Sequence, residues 1–357
     1  MDLKNVVKKL NRFAPTTLAE DWDNVGLLVE PTPPHKVNTL FLTNDLTEEV
    51  LEEAVTKNAD MILAYHPPIF SAMKRLTMRT EKERIIVKAI EKRIAIYSPH
   101  TSYDAVDGGV NDWLASGLEI FSKPLQNHVT CGDLKGALLE KSLYLLSYTR
   151  GYKLEFLDCE QGLTHTLKSV PGVSDIMLSV NDNMVRMRAS MNCTTSGLPR
   201  ALEILNKDED VKGTIQITQL MKPPIPHTGM GRLCTLKEPI NLKQSLEKKK
   251  KHLNLPHVQL AVGKEKSLDS PVKTIAVCAG SGSTVLRGSL ADLYVTGEMS
   301  HHEVLAAVAQ GTSVILCNHS NTERGYLQVI RNKFDEQFEG KVKVIVSEVD
   351  EDPLKVF

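Results

Sequence analysis

The chain has 357 residues, 41% of them hydrophobic and 24% charged, and a formal net charge of −1. That length suits two domains with room for a third small one, and so balanced a charge gives no electrostatic grip on nucleic acid or anionic lipid. No stretch approaches the roughly 18 apolar residues of a membrane span, and with 5% aromatics and only Trp22 and Trp113 there is no stacking platform for single-stranded nucleic acid.

The first 130 residues alternate helix and strand. "MDLKNVVKKLNRFAP" lacks the apolar core of a signal peptide and reads as an amphipathic helix with Leu3, Val6, Val7 and Leu10 on one side. A cytoplasmic protein, with the nucleus as a second compartment, is expected. Strands follow at 37–43, 61–65 and 94–98, with helices at 47–59 (Thr47 as N-cap), 81–93 and from 108 onward. Short apolar strands alternating with helices predict a largely parallel sheet covered on both faces. Between 137 and 222 the rhythm changes to β-like runs ("SLYLLSYT", "MVRMRASM", "GTIQITQL") around one helix, an α+β insert, and "MKPPIPHTGMG" (221–231) reads as the linker out of it. The α/β pattern then resumes, with strands at 273–279, 292–297, 313–318 and 343–347 and helices at 301–311 and 322–338. The expected organisation is an N-terminal α/β half (1–136), an α+β insert (137–222) and a C-terminal α/β half (223–357), the two halves forming one metal-binding domain. The run Lys248 to Lys251 is flanked by apolar residues at helical spacing and predicts a solvated helix face. Six scattered cysteines with no CxxC pair predict buried free thiols.

In open α/β sheets, ligands bind beyond the carboxyl ends of the strands. The polar residues at those ends are Asn44 and Asp45, His66, His100 and Asp104, Glu298 with His301 and His302, and His319 with Glu323. Strands lie about 4.8 Å apart, so such residues converge on one small volume. Imidazoles and carboxylates are the ligands of zinc, iron or manganese. A lone histidine after a strand is usually a hydrogen-bonded loop residue, Asp104 can cap a helix, and Glu323 can be a first-turn acid. Their company at strand ends of both halves favours a metal site instead, with His66, Asp104, His319 and Glu323 as ligands for one or two divalent ions. A helix beginning at or before His319 puts that residue and Glu323 on one face. "CAGSGS" offers Gly280, Ser281 and Gly282 as a backbone cradle for a phosphate or carboxylate, or is simply a tight βα connection. Asp23 and Asn24, in "EDWDNVGLLVE", are candidate supports of the site or members of an Asx-type turn.

The motifs "EDWDNVGLLV", "YHPPIF", "HTSYDAVDGGVNDWLA", "AVCAGSGS", "YVTGEMSHHE" and "NHSNTERG", in this order, resemble the NGG-interacting factor 3-like family, whose bacterial members carry the name GTP cyclohydrolase 1 type 2 homologs. The resemblance covers about residues 1–130 and 228–350. It implies a dinuclear metal site between two α/β halves and a homo-oligomer, often a hexameric ring. By matching motifs, the family's ligands fall on His66, Asp104, His319 and Glu323, with His100, Glu298 and a histidine of the 301–302 pair nearby. One departure stands out. The first histidine of the bacterial "HHP" is Tyr65 here, and a neutral phenol is a poor ligand because its pKa lies near 10. Two functions follow as expectations. One is a metal-dependent hydrolase of a small phosphorylated or nucleotide-like molecule, with His100, Glu298 and His302 as proton carriers or further ligands. The other is a non-catalytic regulatory or adaptor protein with a transcription-related partner.

Overall fold

The computed structural model describes residues 1–117, 120–127, 151–158, 162–180, 187–194, 197–220 and 228–355. The chain divides into two compact units, one of Met1–His128 with Ile225–Phe357 and the other of Val129–Pro224.

The first unit carries two sheets. One holds β1 (Gly26–Val29), β4 (Ala95–Ser98), β3 (Met61–Ala64), β2 (Thr39–Thr43) and β15 (Lys343–Val346), in that order; the last four are parallel and β1 is an antiparallel edge. The other runs β11 (Gln259–Ala261), β14 (Ser313–Leu316), β13 (Leu293–Thr296), β12 (Pro271–Cys278), β10 (Gly229–Asn241) and β5 (Ile120–Asn127), with β12, β13 and β14 parallel. The mixed α/β class is as expected. The division of strands is not, because the halves exchange one strand each. The C-terminal β15 pairs with β2 of the first sheet, Val344 opposite Leu40, and β5 pairs with β10 of the second. A strand joins whichever open edge completes a ladder, and sequence order does not decide which edge that is.

The strands read as continuous apolar runs because both faces of each sheet are covered. In β3, Met61 and Leu63 face the core shared by the two sheets, while Ile62 and Ala64 face helices α2 (Glu48–Thr56) and α3 (Glu81–Glu91), which supply Val50, Leu51, Ala54, Ile85, Ile86 and Ala89. The shared core takes in Leu3, Val6 and Leu10 of helix α1 (Leu3–Phe13), and Tyr326, Ile330 and Phe334 of the helix Tyr326–Phe338. Thr47 caps α2 as expected, accepting from the Val50 amide at 3.3 Å.

The second unit has a four-stranded antiparallel sheet in the order β7 (Val173–Val180), β8 (Met187–Thr194), β6 (Gly151–Asp158), β9 (Gln216–Leu220). Leu154, Phe156 and Met191 pack on Leu167, Ala201 and Leu205 from its helices. The strand expected at "SLYLLSYT" lies outside the described residues, as do 221–227 of the expected linker and Cys131 and Cys159; Gly229 to Gly231, also read as linker, begin β10. Cys193, Cys234, Cys278 and Cys317 are free and buried. No helix among the described residues is long and apolar enough to cross a membrane.

One expectation is reversed in the helix Leu242–Leu253. Lys249, read as solvated, is 0% exposed, and its ammonium donates to the Leu114 carbonyl oxygen. Four consecutive lysines sample every direction around a helix, so one of them meets the core. Burial pushes Lys249 down from 10.5 to about 8. Between those values the unfolded chain binds a proton that the folded chain does not, so the contribution of Lys249 to stability is lowest below about pH 8 and rises from there toward pH 10.5. The gap corresponds to about 3 kcal/mol against folding, of which the lost hydrogen bond takes back about 1. Lys249→Met, of similar volume, is therefore expected to raise unfolding free energy by about 2 kcal/mol at pH 7 and to flatten its rise above pH 8, measured by denaturant unfolding across pH.

Candidate metal centre

The carboxyl ends of β3 and β4 in one sheet and of β12 and β14 in the other open onto one cleft of about 520 Å³. Just past β3, the Tyr65 and His66 amides donate to Thr43 and Asn44 carbonyl oxygens at 2.9 and 3.0 Å, which extends the ladder to the last residue before Pro67. Pro67 and Pro68 then restrict the backbone. Tyr65 turns into the core, and His66 faces the cleft. Asp104 arrives on the short helix Thr101–Ala105, and His319 and Glu323 after β14.

Sequence spacing predicts a helical i,i+4 pair at 319 and 323. The segment is instead a 3₁₀ turn, Ser320–Thr322, flanked by His319 and Glu323, and the long helix begins only at Tyr326. Thr322 secures the turn, its hydroxyl donating to the His319 carbonyl oxygen at 2.6 Å. The turn still brings the two side chains together.

His66, His319 and Glu323 each offer a ligand atom, and these atoms lie within 4.8 Å of one another. Nε2 of His66 is 3.5 Å from Glu323 Oε2, and Nε2 of His319 is 3.3 Å from Glu323 Oε1. The opposite nitrogens are fixed by other carboxylates: His66 Nδ1 by Asp45 Oδ1 and His319 Nδ1 by Glu298 Oε1, both at 2.8 Å. A carboxylate on Nδ1 orients a metal-binding imidazole and raises its basicity. Asn44 Nδ2 donates to Glu323 Oε2 at 3.2 Å and holds the shared carboxylate, which is 4% exposed. Two imidazole nitrogens and one carboxylate, each oriented from behind, fit a divalent zinc, iron or manganese ion.

Asp104 lines the cleft but stands outside this trio. Its Oδ1 accepts the Tyr65 hydroxyl at 2.5 Å. Burial, with the neighbouring Asp104 and Glu323 charges, holds the Tyr65 phenol well above 10, so it is a neutral donor and not a phenolate ligand. Burial also pushes Asp104 up to about 6, against the lowering effect of the Tyr65 hydrogen bond. The hydrogen bond to Glu323 lifts His319 to about 10. Burial depresses His66, but its bond to Asp45 and the Glu323 charge outweigh this and leave it raised.

The remaining sequence candidates take other places. His100 lines the cleft, with Nδ1 2.7 Å from Asp23 Oδ1 and φ at +32°, a strained setting for a residue with a side chain. Glu298 acts on His319. His302 is exposed on the first turn of the helix His301–Ala309 and is not among the cleft-lining residues. The Gly280 and Gly282 amides, expected to cradle an anion, are occupied by the Thr322 and Thr296 hydroxyls at 2.8 and 3.1 Å; Ser281 is exposed at the rim. Gly280 serves the centre by what it lacks. A Cβ there would lie 2.6 Å from Glu323 Oε1 and 2.8 Å from His319 Nε2, at a φ of +61° that disfavours any side chain. Gly280→Ala is expected to weaken metal affinity about tenfold or more by displacing both groups, with about 1 kcal/mol lost in stability, measured by metal titration and thermal unfolding.

Asp45 and Glu298 as ring-orienting partners were not assigned from sequence. Both stand at strand ends, which is the available signal, but which histidine each one meets depends on the packing of neighbouring strands. Asp350, from the C-terminal acidic segment, gave no signal at all; it takes the Asn44 amide at 2.7 Å and pairs with Arg324 at 3.2 Å.

The family described as Duf34/NIF3 (NGG1p interacting factor 3) matches residues 1–353. NIF3-like protein 1 of Bos taurus is 50% identical over 357 residues, covering 100% of this chain and 93% of that protein. NGG1-interacting factor 3 of Saccharomyces cerevisiae is 32% identical over 372 residues, covering 99% of this chain and 96% of that one. Among solved structures, a Bacillus cereus protein related to NIF3 has a TM-score of 0.67 at 22% identity, covering 100% of this chain and 99% of the other, a likeness of fold.

Proposed function

This chain belongs to the Duf34/NIF3 family, and from that premise we propose that it is a metal-dependent hydrolase holding one divalent ion on His66, His319 and Glu323 and acting on a small phosphorylated or nucleotide-like molecule. The observation that carries the reading is the double fixing of both imidazoles, each set against Glu323 by Nε2 and against a second carboxylate by Nδ1. A divalent ion bound there supplies Lewis-acid polarisation of a phosphoryl or carbonyl oxygen. Asp45 and Glu298 hold the rings, Gly280 leaves them room, and Tyr65 keeps a proton on Oη toward Asp104. His100 has Nδ1 tied to Asp23, which leaves Nε2 to carry a proton to or from a bound molecule.

The test is turnover of a panel of phosphoesters and nucleotides with and without added manganese or zinc, beside elemental analysis. Metal-dependent turnover that vanishes in Glu323→Ala supports the hydrolase. Less than one ion per chain together with no turnover rejects it.

The yeast relative's name favours a second reading. That protein is called an NGG1-interacting factor, and the corresponding role for this chain is a regulatory protein that binds a protein partner, with the metal centre as a structural element. Under that reading a Glu323→Ala chain loses its ion and its thermal stability without any catalytic change to lose.

A further inference from the structure

The cleft has a wall that the metal centre does not explain. Trp22 is 60% exposed and Phe70 46%, and both line the cavity that holds His66, His319 and Glu323. Their ring centroids lie 6.1 Å apart at 58°. The pair is held from below by polar bonds. Asp23, next to Trp22, takes Nδ1 of His100 and the amide of Thr101, and Asn24 Nδ2 donates to the carbonyl oxygen of Ile69, next to Phe70, at 2.6 Å. Two large aromatic side chains are therefore positioned side by side with part of their surface left to solvent in the cleft.

Their place relative to the metal ligands is short-range. The Trp22 ring stands 5.9 Å from the His100 ring, edge-on, and the His100 ring 5.3 Å from that of His66. One imidazole separates the indole from the first ligand. Lys82 is the only lysine or arginine among the described residues lining the cleft, and it forms no ion pair with any described residue. Cys278, Ala279 and Val285 add apolar lining. Apolar and aromatic walls with a few convergent polar groups are what a small-molecule site presents.

We infer that Trp22 and Phe70 are the binding wall for a planar aromatic or heteroaromatic ring, so that the molecule handled at the metal centre carries such a ring close to an anionic group, with Lys82 at the mouth for the negative charge. This rests on the hydrolase reading for what happens at the floor of the cleft, but the wall can be tested apart from it. Aromatic stacking accepts any flat ring, so the wall sets a substrate class and not one compound.

The experiment compares adenosine 5′-monophosphate with ribose 5-phosphate, which share the phosphate and differ in the ring, by calorimetric titration of the full chain in buffer containing zinc. Adenosine 5′-monophosphate is expected to bind about tenfold or more tightly than ribose 5-phosphate, as stacking on an exposed indole predicts. Trp22→Ala should erase that advantage and leave ribose 5-phosphate affinity and zinc content unchanged, while Trp22→Phe retains most of it. Intrinsic fluorescence gives an independent readout. The other tryptophan, Trp113, packs against the His252 ring at 4.9 Å and is not among the cleft-lining residues, so quenching by the nucleotide reports Trp22. Equal affinities, an advantage that survives Trp22→Ala, or no binding of the nucleotide each overturns the inference. A chain that keeps the ring preference yet holds no metal sinks the hydrolase reading instead, and one that holds metal normally but ignores the ring sinks only this one.

Discussion

Glu323→Ala is expected to raise the dissociation constant for zinc or manganese about a hundredfold or more. Loss of a partner behind a ligand typically costs 10- to 100-fold, and Glu323 is the ligand itself, shared between two imidazoles. The pH dependence should change with it. In the metal-free chain Glu323 lifts His319 to about 10, so at pH 7 that ring is protonated and an ion must displace the proton. Affinity in the parent chain therefore rises with pH up to about 10, with a proton released on binding. Without Glu323 the ring moves back toward its ordinary 6.5, with Glu298 still raising it, and the residual affinity should level off at a lower pH than in the parent chain. The stability of the metal-free chain follows the same group. His319 is raised on folding, so its contribution is fully present below about 6.5 and is lost as pH climbs through about 10. Calorimetry in two buffers of different ionisation enthalpy measures the proton release directly. A Glu323→Ala chain that keeps one tightly bound ion would remove Glu323 from the ligand set.

Tyr65→His is expected to change the stoichiometry from one ion per chain to two. Tyr65 is buried, its phenol is held neutral, and its hydroxyl donates to Asp104 Oδ1 at 2.5 Å. Asp104 thus has one oxygen engaged by a phenol, where an imidazole would offer a nitrogen. An imidazole at 65 supplies that nitrogen and releases the oxygen, and Asp104 and Glu323 then offer two carboxylates that can share two ions. The ring is smaller than the phenol it replaces, so a stability loss of about 1–3 kcal/mol is expected and thermal unfolding should accompany the measurement. Elemental analysis after gel filtration decides the matter. Two ions in the parent chain, or one in both, would show that Tyr65 does not set the number.

Much of the site was legible because it obeys a rule of topology. Parallel strands deliver their carboxyl ends to one edge, so position after a strand is enough to group His66, His100, Asp104, Glu298, His319 and Glu323. What each does there was less legible. Glu298 resembles a proton carrier by position and orients His319 by geometry, with Oε1 2.8 Å from Nδ1. The Gly280–Gly282 stretch resembles an anion cradle until Thr296, at the end of β13, and Thr322, in the turn after β14, take its amides. The run Lys248 to Lys251 carries no periodicity from which to choose Lys249 as its buried member. The exchange of β5 and β15 left no trace, since a strand's own residues reveal that both its faces are covered but not which neighbour lies beside it.

That exchange bears on how the protein is made. Synthesis proceeds from the N-terminus, yet the first sheet lacks β15 until residue 346 has left the ribosome, and the second cannot form until β10 to β14 have followed the whole 129–224 unit. A nascent chain carries His66 and Asp45 for some 250 residues before His319 and Glu323 exist to meet them. At about 5–20 residues per second, that is a wait of roughly 10–50 s. The centre therefore assembles only once Glu323 has been made, and a product truncated before His319 carries one of the three ligands on a sheet with an open edge. Any quality control that senses bound metal or an unpaired strand would separate complete copies from fragments at that last step.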